Sequence, residues 1–439
     1  MTTLHQRAIQ LVQGHPQIND WAVRSRRRRS HELYLVRERT ESRRQVETER
    51  AEVEIHRDLQ SPEGEPRRGA SSFTLLADDS ASAAQAKLEQ ALFAAKLALN
   101  PPYQLPEPTP YPAVETLDRG LVEQPQAALD QLASETLQTL AGEPGASLSS
   151  AEFFTHWQAT RLTNSRGVEA QREGSHLFLE MVILAADGSE ESEFFASLER
   201  RALQDLDLPA EVAAYAQRAG DSLRGSAPPT RRGPVAVSGA ALIELLRFLE
   251  SASSGAMKYQ QLTRWEVGQS IYGGREVLGE PLTLWADRTL PRGVGAAAFD
   301  DDGVPGQRVP LVVGGVVQRF WSDYRYAQYL GLPASGSFGN LCVAPGAVSA
   351  AQLLADGPLF HIVSFAAMDP DPITGEFVGE IRLGYDVGGG KARPFKGGAL
   401  SGEVSAALAN VRFSRDLLFA GDYHGPRVAL FGDLALGGQ

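Results

Sequence analysis

WAVRSRRRRSHELYLVRERTESRRQVETERAEVEIHR, residues 21–57, alternates apolar and polar side chains through segments such as ELYLVRE and AEVEIHR. A period of two puts successive side chains on opposite faces of a strand, so the stretch predicts antiparallel strands with one face packed and one face wet. The run Arg26, Arg27, Arg28, Arg29 could instead form a phosphate or nucleic-acid patch. Charges of both signs interleave after it, which favours a solvated strand face.

Working outward, Leu4–Val12 carries apolar residues at helical spacing before Pro16, and predicts a short amphipathic helix. Ser80–Asn100, SASAAQAKLEQALFAAKLALN, predicts a longer helix lying across the sheet. In NPPYQLPEPTPYP the prolines at 101, 102, 106, 108, 110 and 112 remove backbone donors and favour extended chain. A semi-rigid spacer at a domain boundary is the reading preferred over a docking ligand for a proline-binding module.

A second unit opens with a helix over Gln124–Leu140 and continues through strands near Thr155–Arg161 and Ser175–Leu184. The turn residues Asn164, Ser165 and Gly167 lie between these strands, and the unit ends in a helical region over Ser192–Leu223 interrupted at Pro209. A further breaker, GSAPPTRRGP, spans residues 225–234. Beyond it, PVAVS, LTLWAD, VPLVVGGVV and RVALFG are strand candidates, with one substantial helix over Ala240–Glu250. The expected class is α+β: an N-terminal antiparallel sheet with helices over 1–105, a middle α/β segment over 115–225, and a mostly β C-terminal domain over 231–439.

Composition narrows the function classes. Of 439 residues, 43% are hydrophobic and 22% charged, ordinary proportions for a folded chain too long for one core. No apolar run approaches the roughly 20 residues that span a bilayer, and the N-terminus has no signal-like apolar core, so a cytoplasmic protein without membrane contact is expected. The single cysteine, Cys342, excludes an internal disulfide framework and any multi-cysteine metal site. A net charge of −12 opposes broad nucleic-acid binding.

Four segments carry a resemblance: GPVAVSGAALIELLRFL (233–249), AAFDDDGVPGQRVPLVVGGVV (297–317), GSFGNLCVAPG (336–346) and FAGDYHGPRVALFGDL (419–434). In this order they resemble the TldD/PmbA (TldE) family of metalloproteases and modulators of DNA gyrase. The N-terminal sheet, the Ala-rich helix before the prolines and the NSRG turn fit the same layout. The resemblance implies, for catalytic members, an HExxxH motif on the helix after the strand at Pro234–Val237 and a cysteine near the C-terminus. Two imidazoles and a thiolate would hold zinc, with the carboxylate as general base.

In this chain the histidine positions fall at Ser238 and Ile243 and the glutamate position at Gly239, while GDYHGP occupies the place of the C-terminal cysteine. Isoleucine has no lone pair and glycine no side chain, so these residues cannot replace the missing groups. Cys342 lies far upstream of the lost ligand. The resemblance is to the TldE branch, which implies a subunit without metal, zinc only in a TldD-like partner, a dimer with that partner or with itself, and unfolded peptides held extended against sheet edges.

Other readings of single residues follow from the same stretch. His424 with Asp422 could form a replacement metal site, although a loop histidine beside Gly and Pro reads first as polar surface. Glu244 could be a vestige of site electrostatics, but an amphipathic helix would turn it to solvent. His361, in PLFHIVSF, reads as a satisfied strand histidine. Asp300, Asp301 and Asp302 lack the spacing of a calcium loop and read as turn and strand-entry residues. VGGGKARPFKGG, residues 387–398, lacks the order of a phosphate loop. An autonomous metallopeptidase using His424, Asp422 and Glu244, and a homodimeric peptide-binding protein without cleavage, are the alternatives to a metal-free partner subunit. The family's gyrase-modulator label suggests DNA binding, which the acidic charge opposes.

Overall fold

A computed structural model describes residues 2–388 and 391–438 of the chain. Helix α1 (Leu4–Val12) starts at Thr3, which forms a reciprocal capping box with Gln6. Strands β1 (Asp20–Val36), β2 (Arg39–Gln60) and β3 (Pro66–Leu76) pair antiparallel, as the alternation predicts. Helix α2 begins after Ser80 as expected, but ends at Ala94. The expected continuation to Asn100 is replaced by a short strand, β4 (Leu99–Asn100), paired to β3. The ladder bonds offered by β3 outweigh the helical preference of the last Ala and Leu residues.

Helices α3 (Arg119–Glu123) and α4 (Pro125–Ala141) precede β5 (Ala146–Asn164) and β6 (Glu169–Asp187), which form the expected hairpin across the NSRG turn. Asn164 Oδ1 accepts from Arg166 N at 2.9 Å and from Val168 N at 3.1 Å, closing that turn. The helical region expected over Ser192–Leu223 is corrected: β7 (Glu190–Arg200) pairs with β6, and α5 (Leu208–Arg224) starts at the proline instead of being interrupted by it. EFFASLER alternates, with Phe194, Ala196 and Leu198 buried and Phe195 exposed, and proline has its natural place in the first turn of a helix.

These strands form one seven-stranded sheet in the order β4-β3-β2-β1-β5-β6-β7. The proline stretch therefore joins two halves of a sheet, and strands from both expected N-terminal units meet at β1 and β5. On one face, α1 and α2 cover Trp21, Val23, Val53 and Ile55, while α4 and α5 cover Leu33, Leu35, Phe153 and Leu177. Each of these large apolar side chains contributes roughly 1.5–3 kcal/mol by leaving water.

The C-terminal half is mostly β, as expected. Strand β8 (Arg231–Ser238) leads into α6 (Gly239–Leu246) and α7 (Phe248–Ala252), so the single helix expected over Ala240–Glu250 breaks at Arg247. Strands β9 (Leu284–Asp287), β10 (Arg308–Val313), β11 (Val316–Val317) and β12 (Asn340–Val343) enter a second sheet. Then come β13 (Leu359–Ala367), β14 (Glu376–Gly388), β15 (Lys391–Phe395), β16 (Ala399–Glu403), β17 (Val411–Phe413), β18 (Leu417–Ala420), β19 (Tyr423–Pro426) and β20 (Val428–Gly437). In the third sheet β13 pairs with both β8 and β14, so the path β13-β8-β20-β16-β14 closes on itself around an apolar core. Gly389 and Gly390 of the run read against a phosphate loop lie outside the described residues; Lys391 and Ala392 stand on β15.

The reading of the arginines as a solvated strand face holds for Arg27 and Arg28, which are exposed, and is corrected for Arg26, which with Arg24 is covered on the second face of the first sheet. Arg24 bonds Glu54, and Arg26 reaches Asp301 at 2.5 Å. Asp301 also accepts from Arg172 of β6 at 2.9 Å. Arg28 meets His156 at 2.9 Å, and Arg29 lies over the Trp157 ring. Asp300 Oδ1 accepts from the backbone N–H groups of Asp302, Gly303 and Val304 at 2.9, 3.0 and 2.9 Å, holding Gly303 at a φ of +96° that suits glycine. The expected turn is therefore present, and it also presents two carboxylates to the arginine face. Phe299, 1% exposed, packs on Leu162 and Val168 beside it. Alternation along one strand cannot reveal a covering partner that lies hundreds of residues away in sequence.

Candidate functional site

Ser238 ends β8 and stands at the start of α6, with Gly239 next at φ +60°, a left-handed conformation in which a glutamate would be strained. Ser238 Oγ lies 2.8 Å from His361 Nε2 on the adjacent strand β13. His361 is a satisfied strand histidine, as expected, and burial lowers its pKa to about 4. Its ring tilts over Tyr385, whose hydroxyl donates to Asp221 at 2.8 Å. This chain of polar groups joins α5 to the closed sheet, and the sequence did not signal it because its members lie far apart.

Ile243 packs against the apolar core of the C-terminal half. Glu244 is corrected from a solvent-facing residue to a partly buried one, and desolvation pushes its carboxyl up to about 7. The next turn brings Arg247, which grips Asp422 in a fork: Nη1 to Oδ2 at 2.8 Å and Nη2 to Oδ1 at 2.6 Å. Hydrogen bonding by Asp422 is the first reason the Arg247 pKa is raised. Asp422 is thus committed to a cation on the helix that the resemblance singles out.

His424 is corrected from a loop to a strand residue. It lies in β19, half-buried, with its ring edge-on to Phe419 at 5.4 Å, and burial lowers its pKa. Its parallel partner on β12 is Cys342, so the cysteine far upstream in sequence is the neighbour of the C-terminal loop in space. Burial pushes the Cys342 thiol up to about 12, which disfavours the thiolate that binds metals. Among the described residues no three His, Cys, Asp or Glu side chains converge to hold a metal ion. The donors present do not fit zinc: the helix lacks imidazoles, Asp422 is paired, and Cys342 is a lone buried thiol on β12.

The loop carrying Asp422 also borders a cavity. Gly421 N donates to Glu199 O at 3.1 Å, and Val294 N donates to Gly421 O at 3.3 Å. From Val294 the segment to Ala298 forms one wall of a cavity of about 530 Å³, and the β5–β6 face forms the other. Arg201 links the walls, donating to Ser175 O at 3.0 Å and to Gly293 O at 2.9 Å. The proline stretch is strapped nearby: Asn164 Nδ2 donates to Pro106 O at 2.8 Å, and Gln104 and Gln328 exchange bonds at 2.9 and 3.0 Å. No helix among the described residues is long and apolar enough to cross a membrane.

Comparison with known proteins gives the following. Residues 230–438 match the family described as the PmbA/TldA metallopeptidase C-terminal domain. An uncharacterized protein of Methanocaldococcus jannaschii is 22% identical over 287 residues, 62% of this chain and 66% of its own length. Metalloprotease PmbA of Escherichia coli O157:H7 is 24% identical over 230 residues, 51% of this chain and 50% of its own. The chain thus spans between half and just under two thirds of these curated relatives. The crystal structure of TldE from Thermococcus kodakarensis superposes with a TM-score of 0.82 at 18% identity, covering 99% of both chains, which establishes the shared fold.

Proposed function

Because the chain belongs to the TldD/TldE (PmbA) family, we propose that it is the metal-free subunit of a two-component cytoplasmic peptidase and holds unfolded peptides for a zinc-bearing TldD-like partner. The observation that carries this reading is the Arg247–Asp422 fork, which ties the end of α6, one turn beyond Ile243, to the GDYHGP loop where the resemblance expects a cysteine ligand. A guanidinium there repels a divalent cation and neutralises the nearest carboxylate.

Open sheet edges support the peptide half of the reading. Among the described residues strand β7 pairs only with β6, and the Arg39–Glu49 part of β2 only with β1, so apart from Glu199 O, which accepts from Gly421 N, backbone groups along these edges are available to an extended chain. Main-chain hydrogen bonding is tolerant of sequence, as an unfolded substrate requires. The net charge of −12 supports a protein partner over nucleic acid.

The test is reconstitution. The purified chain should contain no stoichiometric zinc, form a complex with a TldD-like subunit in sedimentation, and increase cleavage of unfolded peptides by that subunit. Equal cleavage with and without this chain would overturn the proposal. One zinc per chain with independent cleavage would favour an autonomous metallopeptidase, whereas peptide binding by a self-dimer that ignores the TldD-like subunit would favour a homodimeric binding protein.

A further inference from the structure

The cavity between the β5–β6 face and the 294–298 segment is lined by three guanidinium groups, Arg172, Arg201 and Arg288. Arg201 is 6% exposed, and among the described residues its acceptors are all backbone carbonyls, so its charge has no hydrogen-bonded carboxylate there. Arg288 donates through Nε to Ser337 O at 3.2 Å and through Nη2 to Ser337 Oγ and Phe338 O, leaving Nη1 without a protein acceptor among the described residues. Arg172 uses both terminal nitrogens, on Phe299 O and Asp301.

Four acids stand near these cations: Asp300 and Asp301 beside Arg172 and Arg288, Glu199 beside Arg201, and Glu173 in the cavity wall. Asp301 is shared between Arg172 and Arg26. Glu173 accepts from Trp157 Nε1 at 3.3 Å, and Glu199 stands 3.6 Å from His176 with its carboxyl pushed up by burial. Burial lowers the pKa of Arg172, Arg201 and Arg288 against the pull of Asp301 on Arg172, Glu199 on Arg201 and Asp300 on Arg288. A walled space with an unused planar donor at Arg288 suits a carboxylate, because the fork of a guanidinium matches its two oxygens.

We propose that this cavity is a carboxylate subsite of the peptide-binding surface, taking the free C-terminus of an extended peptide. The inference rests on the peptide-holding reading above. The loop at Gly421 adjoins it through the Val294 hydrogen bond, so a peptide anchored here would run toward α6.

The experiment is calorimetric titration of the full chain with one unstructured eight-residue peptide in three forms: free acid, C-terminal amide, and amide with an internal aspartate. The free acid should bind roughly tenfold tighter than the amide. Arg288→Gln should remove that difference. As a second variant, Gln171→Glu on the exposed β6 wall adds a negative charge without touching the arginine bonds, and should also remove the preference. If the aspartate-bearing amide matches the free acid, the subsite stands and accepts a side-chain carboxylate. Equal affinity of acid and plain amide overturns the subsite while peptide holding survives, and binding of no form overturns both.

Discussion

Two places where arginine meets aspartate behave differently in this molecule. At the junction of the two halves, Arg24, Arg26 and Arg172 lie against Asp301 and Asp302 beside the buried Phe299, and the charges come with apolar packing. At the end of α6, Arg247 and Asp422 make one forked pair whose side chains are 41% and 30% exposed. The first arrangement holds the halves in register; the second fills a position and carries little stability. Asp301 is itself 47% exposed, so the difference lies in its two arginine partners and the apolar packing beside them.

The largest expected effect tests the junction. Phe299→Ala should cost about 3–5 kcal/mol, because it empties a packed site between the hairpin and the C-terminal half. Urea unfolding of the full chain measures it, and a loss below about 1 kcal/mol would mean the halves are not locked there. Next comes Glu244, whose folded pKa of about 7 lies above its ordinary 4.5. The folded state favours the protonated form, so stability is highest below about pH 4.5 and falls as pH rises to about 7. Glu244→Gln should add roughly 1–2 kcal/mol at pH 8, after discounting for solvent screening, and almost nothing at pH 4. A variant with an unchanged pH profile would place the titration elsewhere.

The smallest effect sharpens the contrast directly. A double-mutant cycle on Arg26 and Asp301 should give a coupling of about 1–2 kcal/mol that persists in salt, whereas Arg247 and Asp422 should couple by less than about 1 kcal/mol and lose it at high ionic strength. Equal couplings would erase the distinction.

Much of the architecture was legible because it is periodic. The alternation of residues 21–57, the cap at Ser80, the helix before residue 141 and the NSRG hairpin all follow from local rules. The failures were local rules applied to mixed signals. ESEFFASLER has helix-forming residues and a strand period, and pairing with β6 settled it as β7. The resemblance placed the donor positions at Ser238, Gly239 and Ile243, and side-chain chemistry then showed that no imidazole or carboxylate stands there.

What replaced those donors could not be read. The Arg247–Asp422 fork, the Ser238–His361 bond, the placement of Cys342 beside His424 and the arginine-lined cavity each unite residues from distant segments. The sequence by itself determined which elements form and which chemistry is missing, because propensity, period and side-chain donors are properties of short stretches. Only the tertiary structure decided which face of a strand is wet and which charges meet, because those depend on chain topology and on burial from water.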